Sequence, residues 1–176
     1  MTAAERDYRY LTSFLTDDRR LVPLVPRTKV PFANREVSNG DHRVIISEAD
    51  ALALWLRTHK CSNWGLLGMV QVDPDSEEAT AWVRNMGIRS GDRAWILRTR
   101  RGYKPIFKSP ADCPRTHNDP THKTADLGGP KTIIVIPPSL CGIVFSYSLS
   151  IISPMPFLVN PAIFHEFTDY MKFFSR

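Results

Sequence analysis

Residues 63–86 read NWGLLGMVQVDPDSEEATAWVRNM and decide the fold class of the chain. The apolar run over 63–72 predicts a buried strand. The segment 76–86 predicts a helix, because it begins with a serine that can cap it and with acidic residues that favour a helix N-terminus. A further strand is predicted over 93–99. The order strand–helix–strand indicates a fold that mixes helices with a sheet.

Segments on both sides of this unit extend the same pattern. Further helices are predicted over 4–16, 47–59 and 161–174, and further strands over 20–26, 103–108, 131–139 and 142–149. Ser47 is predicted to open the second helix in a capping-box-like start. The prolines in 20–26 are typical of an edge or irregular strand. The mixed order of elements predicts an α+β fold.

The composition limits the class of protein. A chain of 176 residues that is 43% hydrophobic is expected to form one folded domain over 1–176. Its net charge of +5 is compatible with polyanionic partners such as nucleic acid. The three cysteines are too widely spaced for a disulfide framework. With no signal peptide and no membrane-spanning run, the sequence predicts a cytoplasmic protein without a membrane partner.

Two aspartates, Asp73 and Asp75, stand where the predicted strand gives way to the helix. Residues two apart on a strand point to the same face, so both carboxylates could bind one divalent ion such as Mg²⁺. Asp126, just before another strand, is a candidate third carboxylate. The alternative is structural, because aspartate is also common at helix starts and in turns. The local pattern leaves both interpretations open.

A basic hairpin is predicted over 98–108, which reads RTRRGYKPIFK. Its arginines and lysines, with Tyr103 among them, suit a triphosphate or a nucleic-acid backbone. The alternative is a solvated edge, where basic residues protect against aggregation. A weaker pattern is Cys113, His117 and His122, three potential zinc ligands for which Cys141, Asp112 or Asp119 could supply the fourth. The alternative is a loop with scattered polar residues.

The order of these motifs resembles the primase–polymerase (prim-pol) domain of the archaeo-eukaryotic primase superfamily, over most of the chain. The segments similar to that family are RRLVPLVPRTKVPF (19–32), SEADALALWL (47–56), GLLGMVQVDPDSEEA (65–79), RTRRGYKPIFK (98–108) and ADLGGPKTIIVIPPS (125–139). The resemblance implies a mixed sheet with an RRM-like core flanked by helices. Such domains usually continue into a helical accessory region or a helicase, whereas residues 1–176 are expected to form a single prim-pol-like catalytic domain without either.

The resemblance assigns roles to individual residues. The catalytic metal ligands would be Asp73, Asp75 and Asp126, with Mg²⁺ or Mn²⁺ as the cofactor. The nucleotide-binding residues would be Lys29, Arg101, Lys104 and Ser139. The family carries a histidine where this chain has Lys104, and lysine contacts phosphate as a point charge. A second alignment of the acidic motif would pair Gln71 with Asp73 instead of Asp73 with Asp75.

Three functions follow from these observations. The first is a DNA-templated nucleotidyltransferase, a primase–polymerase that uses nucleoside triphosphates in the replication of a mobile element, with a separate helicase or accessory domain as a potential partner. The second is a catalytically degenerate module that binds DNA or nucleotide, which the lysine in place of histidine favours. The third is a metal-dependent nuclease that uses the same acids.

Overall fold

The computed structural model describes residues 3–33, 42–59, 62–74, 76–81, 95–99, 102–108, 125–141, 145–146 and 148–151. The helices are α1 (Ala3–Thr12) and α2 (Ala49–Thr58), and residues 77–81 are also helical. The strands are β1 (Arg20–Leu24), β2 (Asn63–Leu67), β3 (Met69–Pro74), β4 (Trp95–Thr99), β5 (Gly102–Lys108), β6 (Ala125–Gly128), β7 (Ile134–Ile136), β8 (Leu140–Cys141), β9 (Phe145–Ser146) and β10 (Ser148–Ile151). The α+β class is therefore confirmed.

The chain divides into two compact units, each made of two separate stretches. The first unit combines Met1–Leu67 with Ile133–Ser148, and the second combines Gly68–Thr132 with Leu149–Arg176. Within the described residues, no helix has the length and apolar character needed to cross a lipid bilayer. The helix predicted over 161–174 lies outside the described residues.

The first unit contains a three-stranded antiparallel sheet in the order β1-β2-β7. On its other side β1 forms the isolated bridges Leu21–Ile46 and Leu24–Pro31, and the Phe32 N–H donates to the Pro23 carbonyl. Among the described strands β1 is therefore at the end of the sheet, and the predicted edge strand is confirmed. The side chains of Leu21 and Leu24 are fully buried, and Trp64 of β2 is almost completely buried. A short β8–β9 pairing follows β7. The apolar side chains of these strands form the core of this unit.

The two helices of the first unit contact each other. The expected capping box at Ser47 is wrong, because Glu48 takes the N-cap position of α2 and no side chain caps it. The expected end near His59 is confirmed: its backbone N–H donates to the Trp55 carbonyl. The His59 ring also stacks on that of Trp55, with centroids 3.8 Å apart.

The buried strand predicted over 63–72 is two strands rather than one. Gly68, with a φ of 88°, interrupts it in a backbone conformation that side chains with a Cβ rarely adopt. The Gly68 N–H donates to the Pro130 carbonyl instead of continuing a ladder. As a result β2 joins the sheet of the first unit, and β3 joins that of the second.

The second unit contains a five-stranded sheet in the order β10-β4-β5-β3-β6. The pairings of β3 with β5, β4 with β5 and β3 with β6 are all antiparallel. Consequently β3 and β4 run in the same direction with β5 between them, and the helical residues 77–81 lie between them in the sequence. This is a split β-α-β unit. The predicted hairpin is confirmed, since Thr99 of β4 pairs with Gly102 of β5.

The predicted helix cap at Ser76 and the strand predicted over 131–139 have different outcomes. Ser76 caps the helical segment as expected, because its hydroxyl oxygen accepts the Ala79 N–H at 3.1 Å. The single strand predicted over 131–139 is shorter, since only Ile134–Ile136 is extended, and it pairs with β2. The preceding β6 lies in the sheet of the second unit instead. The single prim-pol-like domain expected over 1–176 stays a prediction.

Candidate functional site

Two of the predicted acids lie side by side in the second unit. Asp73 of β3 and Asp126 of β6 are direct partners in the antiparallel register. Side chains of directly opposite residues share one face of a sheet, with their Cβ atoms about 4.5–5.5 Å apart. The neighbouring pairing of Pro74 with Ala125 fixes this register from the other side. The sheet therefore brings together two carboxylates from distant parts of the sequence.

Lys104 approaches Asp73 from the opposite neighbouring strand. Its Nζ donates to Asp73 Oδ2, and the two form an ion pair. The side chains are 16% exposed for Lys104 and 25% exposed for Asp73, so the pair is partly shielded but reachable from solvent. Because β3 lies between β5 and β6, one face of the sheet presents Lys104, Asp73 and Asp126 in a row. We call these three residues the carboxylate–lysine row.

Apolar residues border this row on the same face. Leu97 pairs with Lys104, and Ile106 is two residues further along β5 and so faces the same way. Both side chains are almost completely buried. A low-dielectric border strengthens the interaction of the row's charges with one another and with any ion that reaches them.

Gln71 shares this face of β3 with Asp73, because the two residues are two positions apart. Val70 and Val72, between and beside them, are buried on the other face. Gln71 pairs with Gly128 of β6, and a Cβ added at Gly128 would come within 2.8 Å of Gln71 Cγ. The glycine therefore leaves room for the Gln71 side chain beside the acids. The choice between the two alignments of the acidic motif, Gln71 with Asp73 or Asp73 with Asp75, stays a prediction.

Several predicted site residues lie outside the described residues. They are Asp75, Arg101 and the proposed zinc ligands Cys113, His117 and His122. Among the residues that the structure does describe, no three His, Cys, Asp or Glu side chains are grouped so that they could hold a metal ion. The three-acid set and the zinc site stay predictions.

Ser139 of the first unit is fully buried. Its hydroxyl accepts the Trp64 backbone N–H at 2.7 Å and donates to the Trp64 carbonyl at 3.1 Å. These bonds tie the segment after β7 to β2. The predicted contact of Ser139 with nucleotide stays a prediction, and it would require this hydroxyl to exchange both partners.

Lys29 of the first unit is exposed, and it lies on a turn that hydrogen bonds hold in place. The Val25 N–H donates to the Val30 carbonyl at 2.8 Å, and Asn63 Nδ2 donates to the Thr28 carbonyl at 2.9 Å. Arg27 in the same turn has a φ of 63°, a conformation that non-glycine residues adopt infrequently. The turn therefore presents the Lys29 side chain from a fixed backbone.

The residues of the carboxylate–lysine row fit one divalent ion. Mg²⁺ is usually bound through one or two carboxylates, with waters and substrate phosphates supplying its other ligands, and Asp73 and Asp126 offer two carboxylates on one face. Lys104 occupies one oxygen of Asp73, so an ion that used this oxygen would have to displace the ammonium group. A second ion would need another ligand, for which Asp75 is the sequence candidate.

The contact between Lys104 and Asp73 was missed by the sequence reasoning. The alternation of residues along 98–108 and along 69–74 could have indicated which side chains share a face. The register between the two strands, however, is a tertiary feature that no local pattern contains.

The sequence matches no protein-family model, and it is significantly similar to no curated protein.

Proposed function

We propose that this protein is a primase–polymerase-type nucleotidyltransferase, which transfers nucleotides onto a DNA-templated strand with the help of divalent metal ions. The observation that carries the proposal is the carboxylate–lysine row, in which Asp73 and Asp126 are opposite each other and Lys104 adjoins them. Paired carboxylates on one sheet face suit a metal ion that contacts phosphate oxygens. The adjoining ammonium group suits the triphosphate itself.

The topology of the second unit supports the same proposal. Asp73 lies on β3, the strand that opens the split β-α-β unit, and Asp126 lies on the adjacent strand β6. The basic hairpin supplies β5, the other neighbour of β3. An RRM-like core of the primase–polymerase type is expected to have such a unit at its centre. The helical residues that follow β3 begin at a serine-capped N-terminus.

The proposed chemistry divides between the ion and the chain. A bound Mg²⁺ or Mn²⁺ would act as a Lewis acid, which favours the attack of a primer 3′-hydroxyl on the α-phosphate and the departure of pyrophosphate. Asp73 and Asp126 would hold the ion on the sheet face. Lys104 would neutralise charge on the triphosphate. The net positive charge of the chain would favour association with the template.

Primer extension tests this proposal directly. The purified protein is mixed with a primed DNA template, nucleoside triphosphates and Mg²⁺ or Mn²⁺, and the products are separated by length. We expect synthesis by the wild type and its loss in Asp73→Asn. Asp50→Asn, which changes an exposed acid on α2, is the matched control and should leave synthesis unchanged. Absence of synthesis by the wild type, or equal synthesis by Asp73→Asn, would contradict the proposal.

A non-catalytic module that binds nucleotide or DNA is the second candidate. The observation that favours it is the ion pair itself, because Lys104 occupies a carboxylate oxygen that a catalytic ion would use. Such a module would bind DNA or nucleotide without added metal, would lose affinity as salt rises, and would not extend a primer. Metal-dependent shortening of the DNA in the same assay would instead identify a nuclease.

A further inference from the structure

We propose that the ammonium group of Lys104 occupies the carboxylate site as a resident cation. Lys104 must leave Asp73 before a divalent ion can bind there. The displaced ammonium group then binds the triphosphate of the incoming nucleotide. This inference rests on the proposed function, since it concerns how the same site is loaded. Its consequence is that metal and nucleotide bind together more readily than metal binds alone.

The geometry of the row places two cations in competition. Lys104 Nζ lies on Oδ2 of Asp73, while Asp126 faces Asp73 from the other side. A divalent ion shared by the two carboxylates would therefore come within a few ångströms of the ammonium group. Like charges at that separation repel strongly beside the buried Leu97 and Ile106 side chains. The ion and Lys104 cannot both be close to Asp73 at low energetic cost.

The lysine side chain can move to another partner. Its ammonium group is a compact charge with rotatable donors at the end of a flexible four-carbon stem. At 16% exposure the Lys104 side chain is near the surface, so the group can reach an anion that arrives from solvent. A triphosphate brings that anion together with the metal ion. The repulsion between metal and lysine is then relieved, and this couples the two binding events.

Binding of Mn²⁺ alone, in the absence of nucleotide, is the first measurement. Titration followed by the paramagnetic resonance of free Mn²⁺ gives the affinity of each variant. We expect Lys104→Met to bind Mn²⁺ about fivefold more tightly than the wild type, because the competing charge of a partly exposed ion pair is gone. Lys104→Arg keeps the charge and should stay close to the wild type. An unchanged or weakened affinity in Lys104→Met would overturn the inference.

Two control variants locate the effect. Lys108→Met removes the same charge from the same face of β5, four residues away from Lys104, and is expected to change the Mn²⁺ affinity by less than about twofold. Adding Asp73→Asn to Lys104→Met should abolish the gain. If the gain persists without the Asp73 carboxylate, Mn²⁺ binds elsewhere and the inference fails.

A measurement on the wild type avoids any dependence on how the variants fold. The reactivity of the Lys104 amine towards an acylating reagent, read by mass spectrometry, should rise when saturating Mn²⁺ breaks the ion pair. It should fall again when a non-hydrolysable nucleoside triphosphate is added. Reactivity that is unaffected by Mn²⁺ would count against displacement of the lysine.

The outcomes separate this inference from the proposed function. Tighter Mn²⁺ binding by Lys104→Met in a protein that extends no primer would support the resident cation and reject the polymerase. Primer extension by the wild type, together with equal Mn²⁺ affinities for wild type and Lys104→Met, would support the polymerase and reject the resident cation.

Discussion

Ser139 in the first unit and Asp73 in the second have opposite surroundings, although the same resemblance predicts that both bind a ligand. Ser139 is fully buried, and both of its hydrogen bonds go to the backbone of Trp64. Asp73 is a quarter exposed, and its described partner is Lys104, which has a long and flexible side chain. The difference separates a polar residue that holds strands together from one that can exchange its partner for a ligand.

The energies of the two arrangements explain why this difference matters. Loss of a buried hydrogen-bond partner leaves a desolvated group and costs about 1–3 kcal/mol. Partly exposed ion pairs contribute about 0–1 kcal/mol, because water solvates both charges once they separate. A ligand can therefore replace the ion pair of Asp73 at little cost, whereas replacing the bonds of Ser139 would cost fold stability.

The largest effect is expected from Asp73 and Asp126 acting as one unit. Asp73→Asn and Asp126→Asn should each lower the rate of primer extension by about 100-fold or more, and the double variant should be little worse than either single one. Steady-state extension rates at saturating nucleotide test this. Losses that multiply in the double variant would show that the two carboxylates act separately, which would break the interpretation of the row as one site.

The next effect is a loss of stability in Ser139→Ala. Removal of the hydroxyl deprives the Trp64 N–H and carbonyl of a described partner, so the free energy of unfolding should fall by about 1–3 kcal/mol. Urea denaturation measures this change. Ser13→Ala is the matched control, because the exposed Ser13 hydroxyl donates to the Tyr10 carbonyl, and it should cost only a few tenths of a kcal/mol.

Unchanged stability in Ser139→Ala would contradict the structural role that the comparison with Asp73 gives to Ser139. If the variant unfolds like the wild type but binds nucleoside triphosphate more weakly, Ser139 is a ligand-binding residue that exchanges its bonds with Trp64. The nucleotide affinity of the folded variant, measured by calorimetry, distinguishes the two roles.

Local chemistry predicts several elements of this fold correctly. The serine cap at Ser76 and the glycine hairpin between β4 and β5 follow from short-range rules, because a few neighbouring residues determine them. The break at Gly68 was not predicted, since the run from 63 to 72 is apolar on both sides of the glycine. Which sheet each half joins depends on strand pairing with distant segments, and local composition does not encode that choice.

The same distinction applies to the candidate site. Asp73, Asp126 and Lys104 could be selected from the sequence because their residue types suit metal and phosphate. Their arrangement could not be derived, because Asp126 is opposite Asp73 only through the register of β3 with β6. The ion pair of Lys104 likewise depends on β5 lying on the other side of β3. Chemistry restricts the candidates, and long-range pairing decides which of them meet.

The smallest effect concerns a charge in the first unit. Burial raises the pKa of Asp7 on α1 above its usual value of 3.8, and the nearby charge of Arg6 only partly opposes this rise. Because the pKa is higher in the folded state, ionised Asp7 lowers the stability at neutral pH. This penalty disappears as the pH falls through the raised value and below 3.8, where both folded and unfolded states are protonated.

Asp7→Asn should therefore stabilise the protein at pH 7, by about 0.5 kcal/mol or less since the group is only half-buried. The gain should vanish near pH 3, and urea denaturation at both pH values measures it. Asp50→Asn, at an exposed position of α2, should show no such pH-dependent gain. Destabilisation by Asp7→Asn at pH 7 would mean that the ionised carboxylate of Asp7 makes a favourable contact. A charge in the first unit would then be stabilised by a partner, as Asp73 is in the second, and the contrast between the two units would be confined to Ser139.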